Sequence, residues 1–501
     1  MFLRQPGLPM AAFFSATLAP FRRPFTHGKS AVLDPTALSA FVARKWDDEV
    51  TPRLIEYIRI PCKSPHFDPQ WAANGHIDAA VQLTESWCRA QPVADMKLEV
   101  LRLPGRTPVL FFEIPGESSH TVLLYGHLDK QPEMVGWREG FGPWVPVMED
   151  GKLYGRGGAD DGYAVFASLT AILALHSQGV GHARVVGIIE CCEESGSYDL
   201  PAYLEAVAQR VGQVDLVVGL DSGCGNYEQL WLTTSLRGLA AGTLCVEVLT
   251  EGVHSGDASG VVPSSFRIAR QLLDRLEDSN SGRILPKEFH CEIPAERIEQ
   301  AVKAGEILGA SVYQKFPFAG GTQSMATEFG EAILNRTWRP FLSVVGADGM
   351  PAIKDAGNVL RPKTALKLSL RLPPLIDGQQ ATRDMKRILE ADPPHGAKVT
   401  FEADQGASGW SAPPTASWLK DALESASQSH YARPAAMIGE GGTIPFMAML
   451  GKHFPEAQFF ITGVLGPKSN AHGPNEFLHI PYAKKLTACV AQVLAAHAAQ
   501  R

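Results

Sequence analysis

Short apolar runs alternate with longer amphipathic stretches along this chain, and ionisable residues gather where the runs end. Leu98–Leu103, Pro108–Ile114, Thr121–Tyr125, Arg184–Ile189 and Val214–Leu220 have the length and composition of strands. Residues near 40–60 carry an amphipathic helical pattern that stops at Ile60-Pro61. Gly162–Gln178 is apolar all round and predicts a buried helix, and Pro201–Val211 predicts another. Strands alternating with helices imply an α/β fold with parallel strands covered on both faces.

The pattern changes after Ser235-Leu236-Arg237-Gly238. Gly242–Thr250 predicts a strand and Pro263–Glu277 a helix. Ala365–Leu372 alternates, with Leu366, Leu368, Leu370 and Leu372 on one face and Lys367, Ser369 and Arg371 on the other. Such alternation belongs to a sheet with one wet face. A helix over Ala381–Ala391 and a strand over Ala397–Glu402 follow. The α/β pattern resumes with the helix Thr415–His430, the strand Ala457–Thr462 and the helix Tyr482–Ala499. A smaller α+β unit, 237–405, is therefore expected to interrupt an α/β body made of 34–236 and 406–501. The stretch 280–356 is irregular and yields no assignment.

Bulk properties narrow the function. The chain has 501 residues, 45% of them hydrophobic, enough for more than one domain at roughly 100–200 residues each. A formal net charge of -7 without a basic stripe argues against nucleic acid as the main partner. No uncharged apolar run reaches the ~20 residues of a membrane span. The eight cysteines include no C-x-x-C pair, which fits a reducing compartment, the cytoplasm, rather than a disulfide framework. Residues 1–33 lack Asp and Glu, and the apolar stretch Leu8–Phe21 is interrupted by Pro9 and Pro20. They read as a disordered leader or the product of an upstream start codon, with a weak targeting peptide as the alternative.

The clusters at the run ends carry the candidate chemistry. His127 and Asp129 follow the strand Thr121–Tyr125, spaced so that one can bind metal while the other buttresses the imidazole; a surface H-x-D loop has the same spelling. Asp160-Asp161 follow the turn Gly155-Arg156-Gly157-Gly158, where Asp161 is placed to cap the next helix and Asp160 is free to ligate. That turn is not a dinucleotide fingerprint, because the sixth position is Asp160. Glu193-Glu194 repel each other unless a cation or proton lies between them, so one can bind metal while the other handles protons; a solvated acidic turn is the plainer reading. Asp221 ends Val217-Val218-Gly219-Leu220 as a ligand or a helix cap, and His472 stands in Ala471-His472-Gly473. Carboxylates and imidazoles without thiolate suit two divalent ions, Zn²⁺ first and Mn²⁺ or Co²⁺ as alternatives. No G-x-S-x-G occurs, which disfavours a serine hydrolase.

At these residues the chain resembles the M20 metallopeptidases, a family with carnosinase-like dipeptidases, glutamate carboxypeptidase-like enzymes, aminoacylases and desuccinylases. The resemblance rests on Tyr125-Gly126-His127-Leu128-Asp129, on Gly151 to Gly157 leading to Asp160-Asp161, on Glu193-Glu194-Ser195-Gly196-Ser197 and on Gly439-Glu440-Gly441-Gly442-Thr443-Ile444-Pro445. It implies a dinuclear-metal exopeptidase-type catalytic domain, with 237–405 as its lid and dimerisation domain. His127, Glu194, Asp221 and His472 would divide between the two metals and Asp160 would bridge them. Asp129 would orient His127, and Glu193 would be the general base. His254 would reach the active site of the partner in a homodimer. Asn358 and Arg371 would hold the substrate's carboxylate end, and Thr443 would touch substrate.

One departure stands out: Gly162 occupies the position where family members usually carry lysine. The activity implied is hydrolysis of the amide bond of dipeptides or short peptides by a hydroxide formed between the metals. Deacylation of N-acyl amino acids is the alternative. The sequence Gly126-His127-Leu128-Asp129-Lys130-Gln131-Pro132 and the long insertion favour the dipeptidase branch.

Overall fold

A computed structural model describes residues 32–500, so the expectation for residues 1–33 falls, apart from Val32 and Leu33, outside the described residues. The body is built on a six-stranded sheet in the order Lys97–Leu101, Val109–Ile114, Arg184–Glu190, Thr121–His127, Leu216–Gly219, Gln458–Ile461. The last four run parallel; Val109–Ile114 is antiparallel to both of its neighbours. Every residue of Thr121–His127 is buried, as an interior strand covered on both faces requires. Alternate residues take opposite sides. Val122 and Leu124 face one core with the helices Tyr163–Ser177, Ser417–Tyr431 and Ile480–Ala498, while Leu123 and Tyr125 face another with Leu200–Val211 and Pro445–His453.

Tyr163–Ser177 is apolar all round because it is the middle layer on its side. Its residues are buried from Tyr163 to Leu175, between the sheet and the helices Pro35–Lys45 and Ile480–Ala498. The first amphipathic helix is longer than its pattern suggested, running as Pro35–Lys45, a wide turn at Trp46–Val50, and Thr51–Ile58. Asp34 caps its start by accepting from Thr36 N and Ala37 N, with Pro35 pre-set for the first turn.

The second sheet is antiparallel, ordered Phe341–Asp348, Lys363–Leu372, Gly238–Glu247, Lys398–Ala403. Leu366, Leu368, Leu370 and Leu372 point into a core shared with the helices Ser265–Leu273 and Gly378–Glu390. The chain first enters and finally leaves this layer at a narrow crossing, where Leu239 and Ala407 exchange backbone hydrogen bonds of 2.8 and 2.9 Å. Glycine is required on both sides of it: a Cβ on Gly238 would lie 2.8 Å from Ala407 O, and one on Gly409 would collide with Leu236 O.

The stretch 237–405 is not one packing unit. Within it, the helices Ala295–Leu308 and Phe329–Thr337 turn back onto the body and pack on the strand Ala436–Glu440, their Ala301, Ala304, Ile333 and Leu334 joining the body's core. Phe341–Asp348 forms the outer edge of the antiparallel sheet, with Val344 48% and Val345 63% exposed. Among the described residues no helix is long and apolar enough to cross a membrane.

Candidate metal centre

Three adjacent strands deliver acids and an imidazole to one rim of the sheet. Thr121–His127 ends in His127, flanked by Arg184–Glu190 on one side and Leu216–Gly219 on the other. The chain leaves Arg184–Glu190 through Cys191-Cys192 into a tight turn that carries Glu193 and Glu194; Asp221 follows Leu216–Gly219. Asp160 enters from the glycine-rich turn and His472 from the loop after Gln458–Ile461. In open α/β sheets this carboxyl-end rim is where ligands bind.

Two groups result. His127, Glu193 and Asp221 place one ligand atom each within 4.8 Å of one another, and so do Asp160, Glu194 and His472. Asp160 faces both: its Oδ1 is 3.4 Å from His127 Nε2 and its Oδ2 is 2.9 Å from His472 Nε2. His127 Nε2 is also 3.8 Å from Asp221 Oδ2, and His472 Nε2 is 3.4 Å from Glu194 Oε2. The other nitrogen of His127, Nδ1, lies 3.0 Å from the backbone O of Asp129 and 3.6 Å from its carboxylate. That carboxylate does further work, accepting the backbone N–H groups of Glu193 at 3.1 Å and Glu194 at 3.0 Å. One buried aspartate therefore positions both the histidine and the glutamate turn.

The electrostatics show what the site lacks. Burial raises the Glu193 carboxyl well above the usual range, with Asp221 adding to the effect, and raises Glu194 to about 8, with Asp160 adding. Burial lifts Asp221 to about 6. Burial opposes ionisation of Asp160 as well, but His127 and His472 hold it below its ordinary value. Burial disfavours a charged His127, yet Asp129, Asp160 and Asp221 outweigh it and raise its pKa. Too few positive charges face too many acids. In addition, His127 Nε2 and Glu194 Oε1 are buried without a hydrogen-bond partner among the described residues. Divalent cations would neutralise the acids and satisfy donors of this N/O type, so these residues fit a pair of metal ions.

Several supporting residues carried no signal that sequence reasoning could use. Arg156 and Glu476, both at most 1% exposed, form a 2.5 Å ion pair across 320 positions. Glu476 also accepts from Gly157 N at 2.9 Å, and Arg156 donates to Gly473 O at 2.9 Å, so the pair ties the turn before Asp160 to the loop of His472. His472 needs that support, since its φ of 63° is left-handed. Gln131 Nε2 donates to Glu194 Oε2 at 2.6 Å. Glu190, at the strand end proper, accepts from Tyr125 and Ser197 and is not in either group.

Two sequence expectations change. Asp161 does not cap the helix Tyr163–Ser177; its carboxylate is buried, and Gly162 stands at the cap. Asp221 caps nothing, because no helix follows it. At Gly162 a Cβ would collide with the Tyr57 ring and approach Gly157 O to 2.7 Å. A buried cation does lie close by: Lys130 Nζ sits 3.9 Å from the Tyr57 ring centre and donates to Tyr57 O and Ile60 O, both at 2.8 Å.

The remaining expected residues lie on the second layer or beside it. Arg371 Nη1 donates to Thr443 Oγ1 at 3.2 Å, and Thr443 Oγ1 donates to Arg237 O at 2.7 Å. Arg237 is lowered to about 10 by burial and by Arg371 and Arg336, so this corner carries concentrated positive charge. His254 and Asn358 are exposed neighbours: His254 pairs with Val359, and Ser255 N donates to Asn358 O at 2.9 Å. Neither belongs to the two groups at the rim.

A parallel-sheet rim that carries two N/O groups and a shared aspartate defines a metal-dependent hydrolase of the dinuclear type. Residues 123–496 match Peptidase family M20/M25/M40, and the chain belongs to that family. It is 26% identical over 435 residues to a cysteinylglycine-S-conjugate dipeptidase of Corynebacterium striatum, covering 84% of this chain and 91% of that one. It is 27% identical over 352 residues to the human Beta-Ala-His dipeptidase, covering 68% and 69%. The crystal structure of human carnosine dipeptidase 1 superposes with a TM-score of 0.73 at 22% identity, over 93% of this chain and 99% of that one. The enzyme is therefore an M20 metallopeptidase.

Proposed function

We propose that this enzyme hydrolyses the amide bond of dipeptides or short peptides, with His127 and Asp221 holding one Zn²⁺, Glu194 and His472 a second, and Asp160 both. The observation that carries the assignment is the division of Asp160, one carboxylate oxygen toward each histidine. Bound metal supplies an acidified water and polarisation of the scissile carbonyl. Glu193 takes the proton from the attacking water and passes it to the leaving amine. Asp129 holds the base in place through the Glu193 N–H. Arg371 and Thr443, beside Arg237, receive the substrate's carboxylate, and Asn358 assists. His254 acts from the partner of a homodimer joined through the second layer, a reading supported by its exposure and by the apolar edge at Val344 and Val345. Dipeptides are favoured because the Corynebacterium and human relatives are dipeptidases. Eight free cysteines support a cytoplasmic location.

The test pairs Glu193→Ala with a substrate screen on zinc-loaded protein. The variant should keep its metal content and lose turnover by about 10²–10⁴-fold, the usual weight of a general base. Near-normal turnover removes Glu193 from the mechanism, and cleavage confined to N-acyl amino acids replaces the dipeptidase reading with a deacylase.

A further inference from the structure

The two strands that carry His127 and Asp221 at one end carry a second histidine–aspartate pair at the other. His120 immediately precedes Thr121–His127, and Asp215 immediately precedes Leu216–Gly219. Backbone and side-chain bonds fix Asp215, whose side chain is partly exposed. Asp215 Oδ2 accepts from Thr121 N at 2.8 Å, Asp215 N donates to Thr121 O at 2.9 Å, and Asp215 O accepts from Gln458 N at 2.8 Å. The free Asp215 Oδ1 lies 3.2 Å from His120 Nδ1. At about 3.3 Å per residue along a strand, this end is on the order of 20 Å from the dinuclear centre.

The helix Ile480–Ala498 closes the group. His497, in its last turn, is 2% exposed, and neither ring nitrogen has a hydrogen-bond partner among the described residues. Its ring centre is 5.4 Å from that of His120 and 5.4 Å from that of Trp418. One ligand atom from each of His120, Asp215 and His497 falls within 4.8 Å of the others. A buried imidazole ordinarily finds a partner for at least one nitrogen, and here the groups facing it are a second imidazole and a carboxylate oxygen. The carbonyl end of a helix also favours a cation. Two imidazoles and one carboxylate, with the remaining positions left to water, are the ligand set of a borderline divalent transition metal rather than of Ca²⁺ or Mg²⁺.

We propose that His120, Asp215 and His497 bind a third divalent transition-metal ion of the Zn²⁺ class, which fastens the C-terminal helix to the starts of two sheet strands. The ion has no part in the peptidase reaction.

The test uses the full-length enzyme, stripped with chelator, reloaded with Zn²⁺ and desalted before metal analysis. Wild type should retain three ions per chain. His120→Asn, at the more accessible of the two histidines, and His497→Asn should each retain two, with the third equivalent weakened by more than the ~10–100-fold that loss of a mere ligand-supporting group costs. Their turnover should match wild type, and their zinc-dependent rise in melting temperature should shrink. A His127→Ala variant should still hold an ion at the distal group, seen as a component of the Co²⁺ visible absorbance that is lost on adding His120→Asn while the component from Asp160, Glu194 and His472 stays. Two ions in wild type, or the same stoichiometry in wild type and His120→Asn, overturns the proposal. Neither result bears on the assignment of Glu193.

Discussion

Gly162 shows how much one missing side chain can decide. The helix Thr51–Ile58 sets Tyr57 against the backbone at this position, and the phenol donates to Leu128 O at 2.9 Å, inside the loop between His127 and Asp129. A Cβ at 162 meets that ring head-on. Gly162→Ala is therefore expected to destabilise the protein by about 1–3 kcal/mol, the usual cost of overpacking. Gly357, whose Cβ would meet nothing within 4 Å, serves as the control, and Gly357→Ala should be neutral within about 0.5 kcal/mol. Urea midpoints of the two variants decide the matter; equal midpoints would show that Tyr57 gives way freely. The lysine that usually occupies this position could not be accommodated without moving Tyr57, and Lys130 already fills the adjoining space, its Cε 2.5 Å from where a Cβ on Gly157 would stand.

Elements place the chemistry, and the ones that matter most were readable. Strand ends marked by apolar runs located His127 and Asp221, and the Leu366–Leu372 alternation located the core face of the second sheet, all four leucines being buried. Other elements were not readable, for identifiable reasons. Phe341–Asp348 is exposed along most of its length and carries no buried face to impose a pattern. Ala295–Leu308 buries Arg297 and Gln300, whose polarity masks its packing face. The Arg156–Glu476 pair depends on two loops far apart in the chain, so no local pattern announces it.

A histidine pair at the junction of one helix and one strand offers a test at this scale. His176, in the last turn of Tyr163–Ser177, and His182, just before Arg184–Glu190, meet through their Nε2 atoms at 2.9 Å. Burial and His182 lower His176 to about 4. Between its ordinary value near 6.5 and about 4, the unfolded chain takes up a proton that the folded one refuses. Stability supplied by the neutral pair is thus present above that window and lost as pH falls through it, at up to about 1.4 kcal/mol per pH unit. Urea midpoints at pH 7 and 5 should converge in His176→Gln relative to wild type; parallel losses in both proteins would exclude the pair as a source.

At the scale of the whole molecule, the rim is only part of the proposed active site. Five proposed ligands and the base come from the α/β body, whereas His254 is exposed on the second layer and belongs to neither metal group of its own chain. If His254 serves the partner's site, then Glu193→Ala and His254→Ala are defects in different chains of a dimer and can complement each other. Each variant alone should be nearly inactive. Mixed in equal amounts and allowed to exchange subunits, half of the dimers become hybrids, and in each hybrid one site combines an intact Glu193 with an intact His254 from across the interface. Activity should recover to about a quarter of wild type, as random pairing in a two-fold dimer demands. Val345→Lys, which puts a charge on the exposed edge of Phe341–Asp348, tests whether that edge joins the subunits, since an edge lysine opposes strand pairing. If the edge is the interface, the same mixture built on this substitution should elute as monomer and recover nothing. Recovery without dimers would mean that His254 acts within its own chain after a large movement of the second layer. No recovery from stable hybrid dimers would mean that His254 has no role across the interface.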